Sequence, residues 1–106
     1  MSVVPPATGD PAAPDPLVPR AALAFLDADR GPTPVLALDL SVVAHRYRRL
    51  TETLPGVEVF YAMKANPHPA VLDTLIGLGS GIDVASTNEV DTALAHGADP
   101  RRVSYG

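Results

Sequence analysis

Only one lysine occurs among the 106 residues, against seven arginines. That residue, Lys64, follows the run Val57-Glu58-Val59-Phe60-Tyr61-Ala62-Met63, which is apolar almost throughout and bounded by Pro55-Gly56 and Asn66-Pro67. An ammonium at the end of a core strand is costly unless it is paired or employed, and partial desolvation moves an amine toward its neutral, nucleophilic form. The plainer alternative is a lysine whose stem snorkels to water. Asp83 is a second candidate, lodged among Ile82, Val84 and Ala85. If the two strands are neighbours, its carboxylate faces the same mouth as Lys64 and can hold the amine and tune its proton affinity. A structural ion pair at the rim is the alternative. Glu89 stands three residues after Ser86, a spacing that reciprocal capping of a helix explains by itself. Asp39, His68 and Tyr105 read as cap, loop and rim residues.

These groups need a scaffold. The run from Val57 to Asn66 is apolar on both faces, which predicts a strand buried between layers, as in a parallel sheet. Ahead of it, Val35 to Leu40 reads as a strand or extended entry. Ser41 is the expected N-cap of a helix whose apolar stripe is Val43, Tyr47, Leu50 and Leu54, with Arg46, Arg48, Arg49 and Glu52 on a solvated face. Asn66-Pro67 is expected to open the next helix, turned inward through Val71, Leu72, Leu75 and Ile76. Ile82 to Ala85 forms a second strand, Ser86 caps a helix carrying Val90, Ala93, Leu94 and Gly97 on one face, and Arg101 to Tyr105 forms a third strand. Strands alternating with helices across short connections predict parallel pairing. An open nucleotide-binding sheet would want a glycine-rich turn after its first strand, and Lys64-Ala65-Asn66-Pro67-His68-Pro69 has no glycine. The α/β class expected is therefore the (β/α)8 barrel of TIM type. Such a barrel takes about 250 residues, so this chain reads as a fragment, its N-terminal part of about three βα units. In either architecture active sites gather at the carboxyl ends of the strands, where Lys64 stands.

Composition excludes several functions. Six of the twelve prolines fall in the first 20 residues, so 1–32 is expected to be a disordered Pro/Ala-rich leader with a short helix at 21–26, and 33–106 the barrel portion. A net charge of −4 with both signs scattered offers no basic stripe for nucleic acid. Without cysteine there is neither a disulfide framework nor a thiolate metal site, and His45, His68 and His96 lack ligand spacing. No metal is expected. The start carries no signal-peptide pattern and no apolar run reaches membrane-spanning length, so a cytoplasmic protein is expected.

The two motifs Phe60-Tyr61-Ala62-Met63-Lys64-Ala65-Asn66 and Gly81-Ile82-Asp83-Val84-Ala85-Ser86-Thr87-Asn88-Glu89, at this interval, resemble the start of the fold-type III pyridoxal-phosphate enzymes, the alanine-racemase-like barrels. Among these they are most similar to the ornithine/diaminopimelate/arginine decarboxylases, where the first motif usually reads Y-A-V-K-A/C-N. Met63 replaces the commoner valine, an apolar exchange. The likeness covers residues 33–106, including the closing Asp-Pro-Arg-Arg-Val-Ser-Tyr. The resemblance implies pyridoxal 5′-phosphate as cofactor and Lys64 as the lysine forming its Schiff base. It places Asp83 beside that lysine and cofactor, and Glu89 in the same polar network. It further implies a homodimer acting on a small amino acid. The continuation Pro67-His68-Pro69 and the ending Ser104-Tyr105-Gly106 are closer to ornithine-type enzymes, which yield a polyamine precursor. Diaminopimelate decarboxylase, an amino-acid racemase on the same barrel, and a small cofactor-carrying module are the other readings. As a fragment the chain is expected to be inactive alone.

Overall fold

The computed structural model describes residues 2–4, 20–28 and 31–106. Its centre is a parallel sheet of β3 (Phe60–Ala62), β4 (Gly81–Val84) and β5 (Val103–Tyr105), in that order. The register sets Phe60 against Gly81 and Ala62 against Asp83, then Asp83 against Ser104. Helix α3 (Pro69–Gly77) links β3 to β4, and α4 (Thr87–Ala95) links β4 to β5. This is the strand–helix–strand–helix–strand order that the sequence predicts. A separate parallel pair joins β1 (Ser2–Val4) to β2 (Ala37–Asp39), flanked by α1 (Arg20–Ala28) and followed by α2 (Leu40–Thr53).

The chain ahead of residue 33, expected as a disordered leader with a short helix at 21–26, holds a strand and a helix among its described residues. Ser2–Val4 is a strand, its Ser2 N–H donating to the Leu36 carbonyl, and the helix placed at 21–26 runs over Arg20–Ala28. The remainder of 1–32, apart from Gly31 and Pro32, lies outside the described residues.

The core lies on one side of the sheet. Ile82, Val84 and Met63 pack with Leu72 of α3 and Ala93 of α4, all at 2% exposure or less. A second cluster joins Leu40 of α2 to Val71 and Leu75 of α3. Tyr61 packs against both clusters. Helices α3 and α4 end alike. The Ser80 N–H donates to the Leu75 carbonyl and Gly79 N–H to Ile76; Ala98 N–H donates to Ala93 and Gly97 N–H to Leu94. Gly79 and Gly97 hold φ of 95° and 88°, the left-handed step this double closure needs.

Several local expectations are corrected. The strand expected over 57–66 is a strand only at Phe60–Ala62, because its ladder partner begins at Gly81 and the chain coils into a 3-10 turn at Met63–Ala65. Nor is it covered on both faces, since Val57 is 55% exposed. Helix α2 is capped by Asp39 rather than Ser41. The buried Asp39 carboxylate accepts the Ser41 N–H at 2.8 Å and its hydroxyl at 2.6 Å, and a carboxylate suits the positive end of a helix. Helix α3 opens at Pro69 rather than Pro67, with His68 as the cap. Of the predicted stripe on α2, Val43 and Tyr47 reach the second cluster, while Leu50 and Leu54 are exposed. Leu94 of α4 is likewise exposed. Periodicity marks an apolar stripe without saying how far along it a neighbour extends.

Candidate active site

The alternation of a strand divides the sheet into two faces. Opposite the helices stand Phe60, Ala62, Gly81, Asp83 and Ser104, in two rows set by the register: Phe60 with Gly81, and Ala62 with Asp83 and Ser104. The first row is a floor. The Phe60 ring lies over Gly81 so closely that a Cβ there would fall 2.5 Å from it. The Arg102 guanidinium stands 5.6 Å from the ring centroid and pairs with Glu58 at 3.1 Å. The second row carries the half-buried Asp83.

Lys64 lies just past the end of β3, in the 3-10 turn Met63–Ala65, at the C-terminal edge of the sheet. Ala62, opposite Asp83, precedes it by two residues. Its side chain is exposed, so the described residues do not supply the partial burial expected of it. Neither Lys64 nor Asp83 makes an ion pair with a described residue, so the structural pair weighed above is not formed. The turn itself is held on both sides. Met63 is 1% exposed in the core. The Tyr61 hydroxyl donates to the Asn66 carbonyl at 3.0 Å, and Asn66 Oδ1 accepts the His68 N–H at 3.0 Å. His68 Nδ1 then accepts the Ala70 N–H at 3.1 Å, which only the neutral ring can do. Burial pushes the Tyr61 phenol above its ordinary value, against a smaller opposite pull from its bond to Asn66.

Glu89 caps as expected, one residue displaced. Ser86 Oγ accepts the Glu89 N–H at 3.2 Å, but Glu89 Oε2 accepts the N–H of Ala85, not of Ser86, at 2.6 Å. The carboxylate therefore fixes the backbone where β4 leaves the sheet. Asp39 serves as a cap, and Tyr105 stands at the rim, 60% exposed. Two residues were not singled out from sequence: Tyr61, which looked like one more apolar member of its run, and Ser104, whose signal was its even spacing along β5 opposite Asp83. Among the described residues no group of three histidine or acidic side chains is placed to hold a metal, and no helix is long and apolar enough to cross a membrane.

An amine without an ion partner among the described residues and a half-buried carboxylate thus share the carboxyl edge of a parallel sheet in a chain whose other lysine or arginine side chains are all guanidinium groups. Residues 40–106 match the family described as pyridoxal-dependent decarboxylase, pyridoxal binding domain. The chain belongs to this family. Its parallel β3–β4–β5 order is an N-terminal part of the family's (β/α)8 barrel. Among curated relatives, the lysine/ornithine decarboxylase of Selenomonas ruminantium is 45% identical over 78 residues, 74% of this chain and 20% of that protein. The diaminopimelate decarboxylase of Methanothermobacter thermautotrophicus is 43% identical over 82 residues, 74% of this chain and 19% of that protein. The solved lysine/ornithine decarboxylase of Vibrio vulnificus, complexed with cadaverine, superposes with a TM-score of 0.70 at 34% identity, covering 78% of this chain and 23% of that one. The chain thus spans about a fifth of the length of these curated relatives.

The residues present fit a pyridoxal group. The Lys64 amine has no carboxylate paired with it among the described residues. Small residues neighbour Asp83: Ala62 flanks it in the ladder, and a Cβ on Gly106 would make only ordinary contact with its Oδ1, at 3.9 Å.

Proposed function

We propose that the protein is a pyridoxal 5′-phosphate-dependent decarboxylase of a basic amino acid, ornithine-type by preference, releasing a diamine of the kind that feeds polyamine synthesis. The observation that carries the reading is the placement of the chain's single lysine at the carboxyl edge of β3, two residues past the register position of Asp83. The cofactor, when bound, supplies an aldehyde for an amine and a ring that accepts the electrons left when a carboxylate departs as carbon dioxide. Lys64 would hold the aldehyde end. Asp83 orients the amine and balances its charge from the neighbouring strand. Glu89 acts through backbone, pinning Ala85 so that the rim above Asp83 keeps its shape. The phenyl ring of Phe60 lies beneath the row, over Gly81. The family relation supports this cofactor, and relatives named for lysine, ornithine and diaminopimelate support a diamino-acid substrate. The working protein is proposed to be a cytoplasmic homodimer whose subunits complete the barrel beyond the segment described above.

Carbon dioxide release by the whole protein, supplied with the cofactor and with ornithine, lysine or diaminopimelate in turn, tests the reading. Ornithine is expected to react fastest, and Asp83→Ala to cost about a hundredfold in turnover, the scale of losing one preorganised charge. Faster release from diaminopimelate, or an Asp83→Ala protein as fast as the parent, contradicts it.

A further inference from the structure

Lys64 makes no ion pair and no side-chain hydrogen bond with a described residue, so the position of its amine is inherited from the backbone of its turn. That backbone is gripped at two points. Met63, buried in the core, pulls the first residue of the turn toward the helices. On the far side the Tyr61 hydroxyl reaches across the turn to the Asn66 carbonyl. Tyr61 sits one residue before the end of β3, and its ring touches both hydrophobic clusters, so the hydroxyl is presented from a fixed base. Asn66 relays this grip onward, since its side chain accepts the His68 N–H and His68 in turn caps α3. The bond spans Lys64, with its donor three residues before it and its acceptor two after.

We propose that Tyr61 is a positioning residue for the cofactor lysine: its hydroxyl closes the Met63–Asn66 turn and so holds the Lys64 amine over the Asp83 row. The inference rests on Lys64 being the residue that takes the aldehyde. Burial holds the phenol's proton beyond its ordinary range, so the donor is present throughout the neutral and mildly alkaline range.

Label on the protein's other amines supplies an internal control. The whole protein is treated with pyridoxal 5′-phosphate, reduced with borohydride, and mapped for label at Lys64 and at those other amines. Tyr61→Phe keeps the ring and removes the donor. It is expected to lower the ratio of Lys64 label to label elsewhere about fivefold, the equivalent of one net hydrogen bond, and to speed amide exchange at Ala65 and Asn66. Ile76→Ala, which opens a gap on α3 outside the turn's own residues, serves as the stability control and is expected to leave the ratio unchanged. An unchanged ratio in Tyr61→Phe overturns the inference while leaving the assignment of Lys64 intact. An equal fall in both variants overturns it too, since general loosening then accounts for the effect. Absence of label at Lys64 in the parent chain removes the assignment itself, and the inference with it.

Discussion

The two faces of one three-stranded sheet do different work. On the helix side, Ile82 and Val84 of β4 meet Leu72 and Ala93 with almost no exposed area. On the other side, Asp83, between them in sequence, is half-buried and without an ion partner among the described residues. Alternation along a strand thus separates the packed core from the candidate site residue by residue. A change on the first face should alter folding, and a change on the second should alter reactivity with little effect on folding.

Ile82→Ala is expected to have the largest effect, lowering the unfolding free energy by about 3 kcal/mol through lost burial and the cavity left behind. In the same urea titration Asp83→Asn is expected to move stability by less than about 0.5 kcal/mol. Comparable losses from the two would erase the distinction between the faces. Gly81→Ala tests the floor. Its Cβ would strike the Phe60 ring at 2.5 Å, and because Phe60 is 36% exposed the ring can swing aside. A cost of about 1–2 kcal/mol is expected, largely recovered when Phe60→Ala is added. A double-mutant cycle showing no coupling would place the ring elsewhere.

Tyr61→Phe is expected to cost about 1 kcal/mol near neutrality. Its pH dependence has a definite sign. The folded phenol titrates above its unfolded value, so its contribution is complete below about pH 10 and is lost as pH rises through the folded value. Parent and Tyr61→Phe stabilities should therefore differ in slope in alkali and run parallel below it. The smallest effect belongs to the exposed Arg101–Asp99 pair at 3.0 Å. Arg101 holds the Asp99 carboxyl below its ordinary value, so any contribution is present at neutral pH and lost in acid. Arg101→Ala is nonetheless expected to leave the melting midpoint unchanged within error, because both groups are in water.

The sheet was legible in the sequence because Phe60–Met63 is an apolar run that ends at Lys64, and Ile82–Val84 is an apolar stretch interrupted by Asp83. Their juxtaposition follows from parallel pairing, which the short strand–helix connections imply. Helix starts were less legible. Asp39 and His68 each cap a helix two residues away from the expected start because short polar side chains on either side compete for the same backbone N–H groups, and sequence does not rank them. The coverage of α2 was not legible either: Leu50 and Leu54 share a stripe with Val43 and Tyr47, but the second cluster stops short of them. Tyr61 was hidden by its apolar surroundings, since nothing in a run of hydrophobic residues marks which one carries a hydrogen bond across the next turn.

The central claim is that the amine of Lys64 takes the cofactor aldehyde. Borohydride reduction of the whole protein with pyridoxal 5′-phosphate, followed by peptide mapping, tests it most directly when run beside Lys64→Arg, which keeps the positive charge but cannot form the bond. The account predicts label on the peptide containing Lys64 and its disappearance, together with turnover, in Lys64→Arg. Label on a peptide without Lys64, or undiminished turnover in that variant, would contradict it.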